Sequence, residues 1–320
     1  DPEPCLEETR AFWTGWAATA AAAGRWSEAV VRSLITLKAL TYEPTGGIVA
    51  APTTSLPELI GGSRNWDYRY CWLRDATLTL NALMQAEYYE EAEHWCRWLR
   101  NAVAGSPGQL QIMYGLSGER RLTEWEIKPE KLPGYIGSQP VRIGNGAYDQ
   151  LQIDVFGEVM DALHRARRER SITLDHDREL WSLQRELMLY LERVWRQPDE
   201  GIWEVRGGKR HFTHSKVMAW VAFDRAIRDA SAYGFESASQ IQRWSRLREE
   251  IKKEIKAHGF DPAKVPVGFT GVELAGLFLA AACCAAFRFA SISSHFFCLA
   301  SASARSFCSS FSFSSNFSRK

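Results

Sequence analysis

The feature that most constrains this chain is where its acidic residues stop. All 38 Asp and Glu precede Leu274, and none follows before the end at Lys320. A folded, soluble surface mixes both signs of charge. The folding unit is therefore expected over residues 1–265, with 266–320 an aberrant tail. That tail is Ser, Phe, Ala and Cys with neither helical nor strand period. Translation in a wrong reading frame explains it best, and a disordered or membrane-associating tail is the alternative. Its apolar run 274–287 is broken by Arg288 after 14 residues, short of the roughly 20 that a bilayer-spanning helix needs.

Charge and composition narrow the function classes. A net charge of +1 from 39 basic and 38 acidic residues gives no sequence-wide field for phosphate backbones or anionic membranes, so neither nucleic acid nor a membrane is expected as partner. Cys5, Cys71 and Cys96 have no paired spacing and four more cysteines fall in the tail, which suggests free thiols in a reducing compartment. The start Asp1-Pro2-Glu3-Pro4 shows no Met, basic segment or apolar segment. No signal peptide is visible there, a cytoplasmic location is expected, and the start reads as that of an excised piece. All 13 Trp lie at or before Trp244, as though the folded part needs flat aromatic surfaces.

Apolar periodicity predicts about eight helices. Stripes run through Val30, Leu34 and Leu37, through Leu80, Leu83 and Met84, and through Ala92, Trp95, Cys96 and Leu99. They continue at Leu151, Val155, Val159 and Leu163, at Leu180 to Val194, from Met218 after His211, and from Ile241 to Ile255. An earlier helix is expected over 8–23. Long connections at 41–70, 105–146 and 197–212 separate the helices, and long ordered loops are usually functional. Alternation at Leu110, Ile112 and Tyr114 predicts a short hairpin within 109–126. Helix hairpins with loops gathered at one end fit a toroid better than a tight bundle.

Three loop clusters could carry chemistry. Asn65-Trp66-Asp67-Tyr68-Arg69-Tyr70-Cys71-Trp72-Leu73-Arg74-Asp75 concentrates aromatic planes and two Arg/Asp pairs before a helix. Aromatic faces stack on sugar rings and Arg/Asp forks bond hydroxyls; an ion-paired helix start is the plainer reading. In Gly201-Ile202-Trp203-Glu204-Val205-Arg206-Gly207-Gly208, an apolar neighbour could raise the proton affinity of Glu204, as a general acid needs, although a lone Glu in a turn is usually solvated. Residues 134–146 offer small residues, polar tips and Arg142 at a helix start, or simply a glycine-rich loop. Gly144-Asn145-Gly146 has no preceding strand in this reading and no trailing Lys-Ser/Thr, so it is no phosphate loop. His211 and His214 lack a third metal ligand at fitting spacing, and no Gly-x-Ser-x-Gly elbow occurs.

Three runs together resemble the bacterial branch of glycoside hydrolase family 15. They are Gly46-Gly47-Ile48-Val49-Ala50-Ala51-Pro52-Thr53-Thr54-Ser55-Leu56-Pro57-Glu58, the run Arg64 to Asp75, and Gly201-Ile202-Trp203-Glu204. The family holds glucoamylases, glucodextranases and a trehalase-like branch. The resemblance implies an all-α (α/α)6 barrel, incomplete here because eight helices are too few for twelve, and an inverting, exo-acting hydrolase that releases glucose from α-glucosides. It implies that Arg74 and Asp75 grip glucose hydroxyls, that Trp72 and Trp203 line the subsite, and that Glu204 is the general acid. Tyr135 and Asn145 would bind substrate from the third loop, where fungal members carry a Trp that this chain lacks. No cofactor or metal is implied; the partner is an α-glucoside and the place a bacterial cytoplasm. Inversion needs a second carboxylate about 6.5–9.5 Å from the first, which the family supplies from a late loop. No acidic residue follows Glu273, so the general base is expected to be absent and the chain an acid-bearing half-site. The competing reading is a sugar-binding remnant that does not cleave. Linkage and oligomeric state are not legible.

Overall fold

The computed structural model describes residues 2–103, 110–169 and 174–259. The expected tail 266–320 lies outside the described residues. Eight α-helices and six short strands are present among them. The helices are α1 (Pro2–Ala18), α2 (Ser27–Ala39), α3 (Leu73–Gln85), α4 (Tyr89–Val103), α5 (Asp154–Arg168), α6 (Leu174–Val194), α7 (Thr213–Tyr233) and α8 (Ala238–His258). The described part is thus mostly helical, as its periodicity requires, with eight helices among the described residues where a closed ring has twelve.

The helices stand in two rows. In α3 the residues Leu73, Ala76, Thr77, Leu80, Leu83 and Met84 are buried, a three-and-four spacing that gives one continuous stripe. Successive odd-numbered helices pack on one another, α3 on α5 and α5 on α7, while α4, α6 and α8 pack behind. The middle of α7 is buried almost all round, from Ser215 to Ala230, as an inner helix must be. Gly157 on α5 allows the closest approach, because a Cβ there would stand 2.2 Å from the carbonyl oxygen of Met218. One core of Trp95, Leu99, Phe156, Val159, Leu163, Leu187, Leu191, Phe223 and Trp244 runs between the rows.

Much of the tryptophan surplus serves this core rather than a sugar platform. Trp95, Trp98, Trp181, Trp195, Trp220 and Trp244 are all buried in it. Several anchor their indole N–H: Trp244 donates to Glu192 at 2.7 Å, Trp181 to Glu236 at 3.2 Å and Trp98 to the Leu116 carbonyl at 2.9 Å. A buried indole keeps its polar edge satisfied in this way.

The strands differ from expectation. β1 (Thr41–Tyr42) and β2 (Gly47–Ile48) form a tight hairpin; β3 (Cys71–Trp72) pairs antiparallel with β4 (Met113–Tyr114), and β5 (Trp125–Ile127) with β6 (Val141–Ile143). The hairpin expected within 109–126 therefore does not form on itself. Its alternation reports a strand buried against a distant segment, a distinction that period alone does not make. Arg142 lies inside β6, not at a helix start, and β6 is a short strand preceding Gly144.

Candidate active site

Several of the candidate residues gather at the N-termini of the inner helices. Trp72 is extended and leads directly into α3, which places Arg74 and Asp75 in the first turn. Asp154 opens α5, and His214 lies in the first turn of α7. The connection from α6 to α7 is closed by a bridge between Asp199 and Arg210, with backbone bonds of 2.9 and 2.8 Å, and Glu204 sits near its middle. Asp199 ties this loop to both inner helices: its carboxylate accepts from the Ile153 N–H at 2.8 Å and from Ser215 at 2.7 Å.

Two residues bend the acid loop. Gly201 has φ +64°, and a Cβ there would strike the Phe212 ring at 2.6 Å, so glycine is required twice over. Glu204 itself has φ +52°, an uncommon conformation for a side-chain-bearing residue. Such strain persists where surrounding contacts over-determine it, and here they do. The Trp72 indole donates to Glu204 Oε1 at 2.7 Å. Arg74 donates to the Ile202 carbonyl at 3.2 Å and approaches Glu204 Oε1 at 3.5 Å, while its Nε bonds Asp75 at 2.7 Å.

Electrostatics follow from this packing. Burial raises the proton affinity of Glu204; Arg74 and the Trp72 donor work against that rise, Asp75 adds to it, and the net direction is upward. Although burial disfavours its charge, Arg74 is held firmly protonated by Asp75 and Glu204, with Glu158 contributing. The Tyr68 phenol is pushed well up by burial, then by Glu58, Glu204 and Asp75.

Of the residues singled out in the sequence, Trp72, Arg74, Asp75 and Glu204 come together, although the segments are 132 residues apart. Trp203 lies next to the acid and is 52% exposed, and Tyr135 is 54% exposed. Asn145 is buried; its amide accepts from the Ala147 N–H at 3.0 Å and donates to the Asp67 carbonyl at 3.4 Å, capping a 3₁₀ turn. Neither Tyr135 nor Asn145 bonds the acid group among the described residues. The second Arg/Asp pair separates from the first: Arg69 grips the fully buried Asp67 through two bonds of 2.9 and 2.8 Å, and Asp67 also accepts from Gly144 at 3.1 Å. That pair joins loops. Arg142 and Arg206 both stand over the Trp66 ring, 4.5 and 4.2 Å from its centroid, and Arg206 bonds Glu124 at 2.9 Å.

Sequence reasoning missed a buried layer behind Arg74. Asp154 and Glu158 lie on α5, with burial pushing their carboxyls up to about 6 and about 8. His214 lies 3.6 Å from Asp154, and burial, then Arg74, lowers its imidazole to about 4. The available signal was a pair of carboxylates at i, i+4 interleaved with Val155 and Val159 on an apolar stripe.

Comparison with known proteins bears on this arrangement. The profile of glycosyl hydrolases family 15 matches residues 24–274. A trehalase of Thermoplasma volcanium is 41% identical over 256 residues, covering 80% of this chain and 40% of the relative. Trehalases of Mycolicibacterium smegmatis and Mycobacterium tuberculosis are each 44% identical over 239 residues, covering 74% of this chain and 35% and 34% of theirs. The chain thus spans about two fifths or less of the length of these curated relatives. No solved structure matches it.

Proposed function

Because the chain belongs to glycosyl hydrolases family 15, we propose that its described part carries the acid half of an inverting α-glucoside hydrolase site. The observation that carries this reading is the 2.7 Å bond from Trp72 to Glu204, with Arg74 and Asp75 beside it. Glu204, its proton affinity raised by burial, protonates the leaving glycosidic oxygen. Arg74 and Asp75 bind hydroxyls of the glucosyl unit at the cleavage subsite, whose anomeric carbon takes up water, through directed, charge-assisted bonds, and Trp72 offers a flat wall that also aims the acid. In this reading the exposed Trp203 and Tyr135 offer further surface to the substrate.

Trehalose is the preferred substrate in this reading, because the relatives that match 74–80% of the chain are named trehalases; α-1,4-glucans are the alternative. Inversion also needs a second carboxylate to activate water, and residues 1–265 are read as one partial catalytic domain.

Glucose release from trehalose and from maltooligosaccharides, measured for the chain and for Glu204→Gln alongside sugar-dependent tryptophan fluorescence, tests the reading. Loss of release with retained binding supports the acid role. Release unchanged by the substitution sinks it, and binding without release in both proteins would identify a sugar-binding remnant.

A further inference from the structure

A loop that carries an acid needs an anchor outside itself. The backbone bridge between Asp199 and Arg210 closes the acid loop at its base, but a bridge between a loop's own ends leaves the loop able to swing as a body against the helices. Glu204 meets Trp72 and Arg74 at the start of α3. The bridge alone does not fix that approach.

The Asp199 side chain supplies the outside anchor. A single carboxylate oxygen, Oδ2, accepts the Ile153 N–H at 2.8 Å and the Ser215 hydroxyl at 2.7 Å, and such an oxygen has lone pairs for both donors. Ile153 immediately precedes α5 and Ser215 is the third residue of α7, so this oxygen sets the base of the loop against two helices at once. Asp199 is 1% exposed and Ser215 is fully buried, which keeps water from standing in for either partner. The next residue extends the contact, the Glu200 N–H donating to the Leu151 carbonyl at 3.0 Å. On the other flank, Lys216 Nζ donates to the carbonyls of Trp195 and Gln197 and holds the chain that enters the loop.

From Asp199 to the acid, five residues on, the loop is folded on itself. The Glu204 N–H donates to the Gly201 carbonyl at 3.0 Å and the Val205 N–H to the Glu200 carbonyl at 3.2 Å, while Gly201 lies against the Phe212 ring. Residues bonded in this way turn as one piece with Asp199. The strained φ of +52° at Glu204 then persists because its surroundings leave no other setting.

We propose that Asp199 is a positioning residue: through Ile153 and Ser215 it sets where the acid loop presents Glu204 to Trp72 and Arg74, while itself buried away from substrate. Its anchoring of the loop stands on these bonds. Its value to catalysis rests on the acid role proposed above, since misplacing a reacting group by about 1 Å can cost about a hundredfold in rate.

Carboxyl carbon-13 resonances of the folded chain, labelled at glutamate, test the placement without any need for turnover. The Glu204 signal is identified by its loss in Glu204→Gln. Asp199→Ala removes the acceptor and lets Glu204 leave its buried setting, the main cause of its raised proton affinity, so its midpoint is expected to fall toward the 4.5 of an ordinary glutamate. Asp199→Asn removes the same charge but keeps an oxygen that can accept both donors, and its Glu204 midpoint is expected to match the wild type. A fall shared equally by both variants is an effect of charge and overturns the proposal, as does a midpoint unmoved or raised in Asp199→Ala. If Asp199→Ala does not fold, Ser215→Ala, which deletes one of the two bonds, decides: a fall is expected, and an unmoved midpoint overturns the proposal. Failure to release glucose from any α-glucoside, with these midpoints as expected, refutes the hydrolase reading and leaves the placement standing. Release that is lost in Glu204→Gln, with the midpoint unmoved in Asp199→Ala, refutes the placement alone.

Discussion

Glu204 is pulled in opposite directions by its neighbours, and each can be removed singly. Burial and Asp75 favour the proton, while Trp72 and Arg74 favour the carboxylate. Trp72→Phe keeps the ring and deletes the 2.7 Å donor. A hydrogen bond to a charged group is worth about 1.5–3 kcal/mol, so the Glu204 midpoint should rise by about one to two pH units. Carboxyl NMR of the variant checks this, and a midpoint that falls contradicts the geometry. That Trp72, Arg74 and Asp75 open α3 side by side was legible because aromatic residues and paired charges crowd the run just before an apolar helical stripe. The separation of its two Arg/Asp pairs into one at the site and one joining loops was not legible, since only the fold decides that Asp67 is buried beneath Gly144. Nor was the role of Asn145 as a cap, because a Gly-Asn-Gly loop and a 3₁₀ start look alike in sequence.

At the scale of elements, the acid loop and the α5–α7 contact are the points of leverage. Arg206 pins the loop to Trp66 and Glu124. Arg206→Ala should speed amide exchange across residues 201–206 by about tenfold, the equivalent of roughly 1.4 kcal/mol of local opening, while leaving exchange in α7 unchanged. Equal protection in both proteins would show that the Asp199–Arg210 bridge alone holds the loop. Gly157→Ala places a methyl against the backbone of Met218, which neither helix can yield without shifting. A loss of about 1–3 kcal/mol in urea unfolding is expected. Helices of this kind announce themselves through their stripes, and all eight were legible, although the first, expected over 8–23, runs Pro2–Ala18. The strand pairs were not: β4 finds its partner at Cys71–Trp72, a contact that depends on how α3 and the following loops are already placed.

For the molecule as a whole, buried protons shape stability against pH. Asp154 and Glu158 are raised, so the folded form holds their protons longer than the unfolded chain; that stability is full below about pH 4 and is lost as pH rises. His214 is lowered, so its contribution runs the other way between about pH 4 and 6.5 and offsets Asp154 there. Glu158 is left to act between about pH 6.5 and 8. Urea unfolding should show stability falling by about 1–2 kcal/mol across that window, and Glu158→Gln should flatten the fall. A rise across the window, or a fall that the variant keeps, contradicts the assignment. The inner row of helices explains why these groups went unread: each sits in an ordinary apolar stripe, and only packing α3, α5 and α7 side by side turns three first turns into one polar pocket.

The central claim is that segments 132 residues apart build one glucosyl-binding site around Glu204, and calorimetric titration of trehalose tests it most directly. The wild-type chain should bind, and Asp75→Asn, which removes the carboxylate charge that orients Arg74 and accepts from sugar hydroxyls in this reading, should bind at least about tenfold more weakly. Equal affinity in the two proteins, or no binding by the wild type, would contradict the account.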